Sequence, residues 1–449
     1  MAFKSANFTM YFGQIKHTIY NSLKKYNKSE LVLAAMIFGI PFTINFGNAL
    51  LIVGVIFSLY GFRSKFGACR NSRIPYFLIF PTLLFLMILL SAMFSKDVHA
   101  GLVQVEKNIL FIIIPLALYL LSYNRKTDYS LLFKVFVIAN FTITLILILA
   151  GVFRIIDGET YEVLFFHELG SILDLHPVYI ALSISISMFY ITQYHIDDTI
   201  IQKKRGLFVI ALLSYFYMVL FLCASKSVII IFTLIYVFQL FSVIRKQKIK
   251  LFALLAITAL MVNFFSFSMV SDRFIEGLHF NILKFEPTEK IENAKVFTNK
   301  EKEEISDLEL RYIMFKIGLF HTIKENKWIW GYGIGDVQDH IDFYYMIYGL
   351  APGWFEGYNL HNQYVQYFVS YGLMGTIFFL VYLVYSVILA LRTNNKLALL
   401  FLFLVVFIFL FESLLSRNKG IVIFLFFNTL FIIQSLNENR DIGNQRNSK

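Results

Sequence analysis

The 449-residue sequence predicts an all-α polytopic membrane protein, with about 12 transmembrane helices and one large extracytoplasmic loop containing amphipathic helices. Three observations predict it. Only 15% of the residues are charged and 58% are hydrophobic, where a soluble domain carries roughly 25% charged residues. The charge-poor positions gather into uninterrupted runs at 31–60, 74–95, 108–124, 206–225, 227–244, 251–271, 397–411 and 420–437, and about 20 apolar residues carry a helix across a bilayer. Finally, the cations alternate in density from one connection to the next, as they do when a chain is threaded repeatedly through a membrane. A soluble core is excluded.

The elements follow in order. Helices are expected at 31–45, 47–61, 74–94, 108–123, 129–152, 172–194, 207–223, 227–243, 251–270, 372–391, 397–412 and 419–435. With the N-terminus inside, the segments 1–30, 62–73, 124–128, 195–206, 245–250, 392–396 and 436–449 face the cytoplasm and hold 23 Lys or Arg. The short outer connections hold six: Lys96, Lys107, Arg154, Lys226, Arg417 and Lys419. This positive-inside asymmetry orients the bundle and accounts for the net charge of +11 without a nucleic-acid partner. In the first pair, Pro41, Asn45, Gly47 and Asn48 mark a central turn; a single long span there would reverse every later orientation. Lys24, Lys25 and Lys28 precede a span with no cleavable signal peptide in evidence. Cys69 falls inside and Cys223 at an outer helix end, so they form no disulfide framework. Lys134 is the clearest ionisable residue within a span. The chain therefore divides into a cytoplasmic segment 1–30, helices over 31–270, an outer loop over 271–371, helices over 372–435 and a tail over 436–449.

The outer loop is far longer than a connection requires, which marks a functional or a disordered segment. Residues 271–360 contain ten Lys or Arg and all three tryptophans, Trp328, Trp330 and Trp354. The charged stretch 286–309 reads as solvated or mobile. Beyond it Leu308, Tyr312, Phe315 and Leu319 recur at helical spacing, a stripe expected to pack on the bundle, with Arg311 at its edge. Alternate glycines at 331, 333 and 335 preclude a regular helix, and the tryptophans suit interfacial anchors. A second amphipathic helix starts at His361 and runs to Gly372 and Gly375, which lead into the tenth span.

Ionisable residues gather at outer helix ends: His176, Lys226, Arg311, His340, His361, Glu412 and Arg417. Lys226, in a tight turn between Ser225 and Ser227, suits an anionic headgroup, and a snorkelling lysine is the plain alternative. Arg311 can fork onto a phosphate or pair with acidic neighbours, and Arg417 has the same two readings. The His361 imidazole, when neutral, can take a proton from a hydroxyl; a structural histidine at the interface fits as well. His176, opening the sixth span, reads as a helix cap. No paired spacing joins His340 to His361 as metal ligands, and no glycine loop precedes a Lys-Ser/Thr pair as a nucleotide site would need.

The Ser-Lys-Ser turn at 225–227, Arg311, the Trp-Gly-Tyr-Gly-Ile-Gly stretch at 330–335, His361-Asn-Gln and Tyr371-Gly-Leu-Met-Gly375 stand in the order seen around one outer loop in a known family. From about residue 170 to 435 the layout resembles the O-antigen ligases and polymerases of bacterial surface-polysaccharide synthesis. The family usually has Ser-Arg-Ser where this chain has Lys226, and lysine keeps the charge but loses the bidentate fork.

The resemblance implies a metal-independent glycosyltransferase without a cofactor, multi-pass in the bacterial inner membrane, with its active site facing the periplasm or outside. Its donor would be a polyprenyl-pyrophosphate-linked glycan, and its acceptor a lipid A core sugar in a ligase or another lipid-linked repeat in a polymerase. Membrane lipids complete its expected partners. Carried over by position, Arg311 and Lys226, with Arg417, bind the pyrophosphate, His361 takes the acceptor proton and Glu412 orients His361; His176 and His340 are further substrate-binding candidates. A protein O-oligosaccharyltransferase and a non-catalytic glycan transporter are the competing readings. A transporter would show inverted repeats and midplane carboxylates, neither of which is evident.

Overall fold

The computed structural model describes residues 24–63, 75–123, 125–196, 204–265, 275, 277, 279–280 and 285–447. Among them there is no strand. The helices are α1 (Lys28–Gly39), α2 (Ile44–Arg63), α3 (Ile79–Met93), α4 (Val98–Asn108), α5 (Leu110–Ser122), α6 (Tyr129–Ile156), α7 (Phe166–Ser171), α8 (Pro177–His195), α9 (Lys204–Leu222), α10 (Lys226–Val243), α11 (Gln247–Phe265), α12 (Asn299–Glu304), α13 (Asp307–Lys324), α14 (Val337–Ile347), α15 (Gln363–Arg392), α16 (Lys396–Ile408) and α17 (Asn418–Asn447). Each of the 12 expected spans falls on a helix, and the chain is a polytopic all-α membrane protein. Among the described residues, six helical stretches are long and apolar enough to cross a bilayer by length and composition.

The boundaries differ from the sequence expectation for physical reasons. Pro41 does break the first pair, but Asn45, Gly47 and Asn48 lie inside α2, whose first turn is tied by Thr43 through its hydroxyl and its carbonyl. Gly47 serves packing instead: its Cα faces the Gly39 backbone, where a side chain would crowd the Gly39 carbonyl. The fourth span is preceded by the amphipathic α4, capped by the Asp97 carboxylate on the Ala100 N–H at 2.8 Å. The sixth span starts at Pro177 rather than 172, with α7 folded separately before it. The ninth is helical as far as it is described, to Phe265, and 266–270 lie outside the described residues. The eleventh stops at Ile408, leaving Glu412 in the following turn. The twelfth continues as helix into the polar tail, where Gln434 donates to Glu438 one turn on. Lys134 is exposed on α6, and Cys223 is buried as a free thiol. Cys69 and most of the expected inner segments 1–30 and 62–73 lie outside the described residues.

At the centre stand α8 and α17, which are buried along most of their apolar length. Small and hydroxyl residues on α8 (Ser183, Ser185, Ser187) sit inside this core, where the neighbouring spans replace lipid as the solvent. Around them α6, α9, α10 and α16 contact α8, while α5 and α15 pack on α17.

The outer loop has a core of its own. Phe285 and Phe297 join Ile313, Met314, Ile317, Ile341, Tyr345, Tyr348 and Leu360 in a second buried cluster. The stretch 286–309 is mostly exposed, as the solvated reading expects, and is joined to this core at Phe297. Phe297 N–H donates to the Tyr348 carbonyl at 2.9 Å, and Thr298 with Glu301 closes a capping box on α12. The apolar stripe of α13 is displaced: Ile313, Met314 and Ile317 face the loop core, whereas Leu308, Tyr312 and Phe315 are half-buried along an open groove.

The glycine stretch joins this loop core to the spans. At Gly372 (φ 66°, ψ −165°) α15 kinks. A straight helix would pair the carbonyls of Val369 and Ser370 with the N–H groups of Leu373 and Met374. Here the Tyr332 and Gly333 N–H groups take the two carbonyls at 2.9 and 3.1 Å, and the Trp328 and Ile329 carbonyls take the two N–H groups at 2.7 and 3.4 Å. A side chain at Gly331 would overlap the Ser370 carbonyl, and one at Gly372 the Ile329 carbonyl. The Asp336 carboxylate then accepts from the Lys96 and Asp97 N–H groups at 2.7 and 2.8 Å, tying the same stretch to the start of α4. Trp328 and Trp330 are exposed beside this clamp.

Candidate functional site

The starts of α2, α8, α10 and α17 and the turn after α16 meet at one end of the bundle under the loop core, around a cavity of about 940 Å³. His176, Lys226, Arg311, His361, Glu412 and Arg417 all line it. His340 does not: its Nε2 contacts Glu325 at 3.0 Å and its ring lies 3.7 Å from that of Tyr332, within a polar knot linking α13 to α14. Glu325 also accepts from the Tyr344 hydroxyl.

His361 is placed by its neighbours in sequence. It adopts a left-handed φ of 46°, a conformation uncommon for a side chain of this type, and its N–H is held by the Asn359 carboxamide oxygen at 2.9 Å. Asn362 caps α15 through the Tyr364 and Val365 N–H groups at 3.0 and 3.1 Å, and donates to the Leu410 carbonyl at 3.0 Å. Gln363 receives the Leu415 N–H at 2.7 Å and donates its own N–H to the Phe409 carbonyl at 2.8 Å. The His-Asn-Gln motif thus fastens the turn after α16 to the start of α15. That fastening puts Glu412 Oε2 3.5 Å from His361 Nδ1.

The other carboxylate oxygen of Glu412 accepts from Arg311 at 3.0 Å. Burial raises the Glu412 pKa, but the contact with His361 and the charge of Arg311 outweigh it and hold the carboxyl below its ordinary range. Glu412 is accordingly an anion that hydrogen-bonds the guanidinium and stands beside the imidazole, whose Nδ1 is buried without a hydrogen bond. Arg311 Nε is buried without a hydrogen-bond partner, which is rare for such a group and needs an explanation. Lys226, the first residue of α10, pairs with Asp307 at 2.5 Å. Lys419 reaches the Phe42 carbonyl from the same wall. His176 is a helix cap as expected: its Nδ1 accepts the Val178 N–H at 3.4 Å.

Asp307 and the fastening role of Gln363 were not singled out in the sequence. Asp307 stands in a charged run where one more acid carries no signal, although the capping box of Ser306 and Glu309 marks the helix start that places it. Beside the polar cavity runs an apolar groove of about 370 Å³, lined by Phe280, Leu308, Tyr312, Phe315, Leu410 and Phe411, with Arg311 and His361 shared between the two. Among the described residues, no three His, Cys, Asp or Glu side chains are grouped to hold a metal ion.

A family model described as O-antigen ligase matches residues 208–380. That stretch carries Lys226, Arg311, His340 and His361 and ends before Glu412 and Arg417. No curated protein matches the chain.

Proposed function

We propose that this chain, whose residues 208–380 match the O-antigen ligase family model, is a glycosyltransferase-type enzyme that moves a glycan from a polyprenyl-pyrophosphate carrier to an acceptor hydroxyl at the outer face of the bacterial inner membrane. The observation that carries the reading is the junction at Arg311 and His361. A polar cavity that holds Lys226, Arg311, Arg417 and Lys419 beside four carboxylates meets an apolar groove there, an arrangement that suits an amphiphile with an anionic head and a hydrocarbon tail. Phosphate oxygens are matched by a planar guanidinium and by an ammonium, and Phe315, Leu308 and Phe411 offer a surface for isoprene units.

In this mechanism the acceptor oxygen attacks the anomeric carbon, and the bond from that carbon to the pyrophosphate oxygen breaks. The bonding pair leaves with the pyrophosphate, whose developing charge is stabilised by Arg311, Lys226 and Arg417. His361 takes the acceptor proton at Nε2, while Glu412 holds a proton on Nδ1 and so keeps the basic nitrogen turned outward, as an orienting carboxylate does for a general base. His361 later releases the proton to water. The side chains thus supply the leaving-group stabilisation that a metal would otherwise give. The ligase reading, with a lipid A core sugar as acceptor, is preferred, and the polymerase uses the same steps with a lipid-linked repeat.

Purified protein supplied with a lipid-linked glycan and either acceptor tests this. His361→Ala is expected to lower the transfer rate by about 10² or more, the scale of general-base catalysis, with protein level and thermal midpoint unchanged. Full transfer by that variant removes the base and the mechanism with it.

A further inference from the structure

The cavity has a second wall, which the pyrophosphate chemistry leaves unused. Between α6 and α8 the chain turns sharply, with Phe166 and Asp174 both at a left-handed φ of 50°. The turn sets the ring of His167 4.8 Å from that of His176, nearly perpendicular to it at 78°. His167, Asp174 and His176 line the cavity here, and Glu356 and Tyr358 line it from the outer loop. The Tyr358 ring lies 5.9 Å from the His361 ring, and His176 is near enough to His361 to feel its charge, so the proposed base is within reach of this wall. The total volume is at the upper end of the range for small-ligand pockets, roughly 300–1,000 Å³, and leaves room beside a diphosphate for a sugar ring.

His176 is a particular kind of donor. Its Nδ1 lone pair is engaged by the Val178 N–H, so the neutral ring carries its proton on Nε2. Burial, and then the nearby charge of Arg417, lower its pKa to about 4, so it adds no charge to a cavity already rich in cations. A neutral N–H with a fixed direction is suited to an uncharged oxygen. Asp174 beside it, and Glu356 elsewhere in the lining, accept from hydroxyls and repel phosphate.

We infer that this wall is the seat of the acceptor sugar, with His176 donating Nε2–H to a sugar oxygen beside the hydroxyl that His361 deprotonates. The inference rests on the transferase reading and assigns the hydroxyl-bearing ring common to both acceptor types, a core glycolipid and a lipid-linked repeat.

His176→Asn separates this role from the cap, because asparagine is among the best N-cap residues but does not reach as far into the cavity. Purified wild-type protein and the variant are assayed with one lipid-linked glycan donor against a lipid A core glycolipid in one arm and a lipid-linked single repeat in the other. The arm in which the wild type transfers identifies the source of the acceptor. In that arm His176→Asn is expected to raise the acceptor KM about tenfold, the worth of one hydrogen bond, with donor KM and thermal midpoint unchanged. Asp174→Asn, which keeps a residue tolerant of the left-handed turn, is expected to raise the same KM and provides the reading if the first variant is unstable. An unchanged acceptor KM in the stable variant, or a rise confined to the donor KM, overturns the assignment. Absence of wild-type transfer in both arms instead rejects the transferase reading.

Discussion

Burial by itself raises the pKa of the Glu412 carboxyl, and only its contact with His361 and the charge of Arg311 reverse the sign. Residues in this cavity work in such groups, which is why sequence reasoning reached some of them and missed others. His361, Arg311, Lys226 and Glu412 were legible because each breaks the pattern of its surroundings at a helix end. Asp307 was not, since it is one acid among many. Its carboxylate lies 2.5 Å from the Lys226 ammonium and is half exposed, so donor binding must compete with it. Asp307→Asn is expected to lower the donor KM by about two- to fivefold, the range for a partly exposed ion pair. Steady-state kinetics with varied donor checks this, and a raised KM would mean that Asp307 positions Lys226 instead. A second residue-scale expectation concerns His321, buried in the loop core with Nε2 2.9 Å from the Tyr348 hydroxyl. Burial lowers its pKa from 6.5 to about 4. The folded loop therefore refuses a proton that the unfolded chain accepts, so its stability is complete above pH 6.5 and declines as pH falls from there toward 4. Proteolysis of the loop at pH 7 and pH 5 should show faster cleavage at the lower pH, and His321→Gln should flatten that difference.

Among the elements, the spans were legible almost one for one, because long apolar runs have few alternative structures. Their ends were less so. Glu412 was placed inside a span, yet the helix stops at Ile408, and that early stop gives the carboxylate the freedom to face His361. The helix at His361 was read correctly as preceding the tenth span, but the purpose of the alternate glycines was hidden, because it lies in main-chain pairing between segments far apart in sequence. Gly372 and Gly331 exist for that pairing. Gly372→Ala places a methyl group against the Ile329 carbonyl at a φ of 66°, combining overpacking with a strained backbone, for an expected loss of about 3 kcal/mol. Thermal unfolding in detergent should show a clearly lower midpoint, with transfer lost in proportion as the loop core comes away from the spans. A wild-type midpoint would mean that the clamp has little energetic weight.

At the scale of the whole molecule, the charge asymmetry predicts that the cavity faces outward, and the alternation of helices is consistent with that expectation. The starts of α8, α10 and α17 and the end of α16 reach the same end of the bundle, as an even passage through a membrane demands. What the sequence could not reveal was that the outer loop folds over this end with its own buried core. That core depends on contacts between residues as far apart as Phe285 and Leu360, which no local pattern announces. The site is therefore a property of two layers: spans that deliver Lys226, His176 and Glu412, and a loop that delivers Arg311 and His361.

The convergence of these layers on a lipid's diphosphate is most directly tested with a photoreactive polyprenyl diphosphate, its label placed next to the phosphates. After irradiation in sealed, oriented membranes, mass spectrometry should place the label on peptides containing Lys226, Arg311 and His361, with excess unlabelled polyprenyl diphosphate suppressing it. Label confined to the ends of α9 and α10 near Lys204 and Val243, on the opposite side of the bundle, would contradict the account.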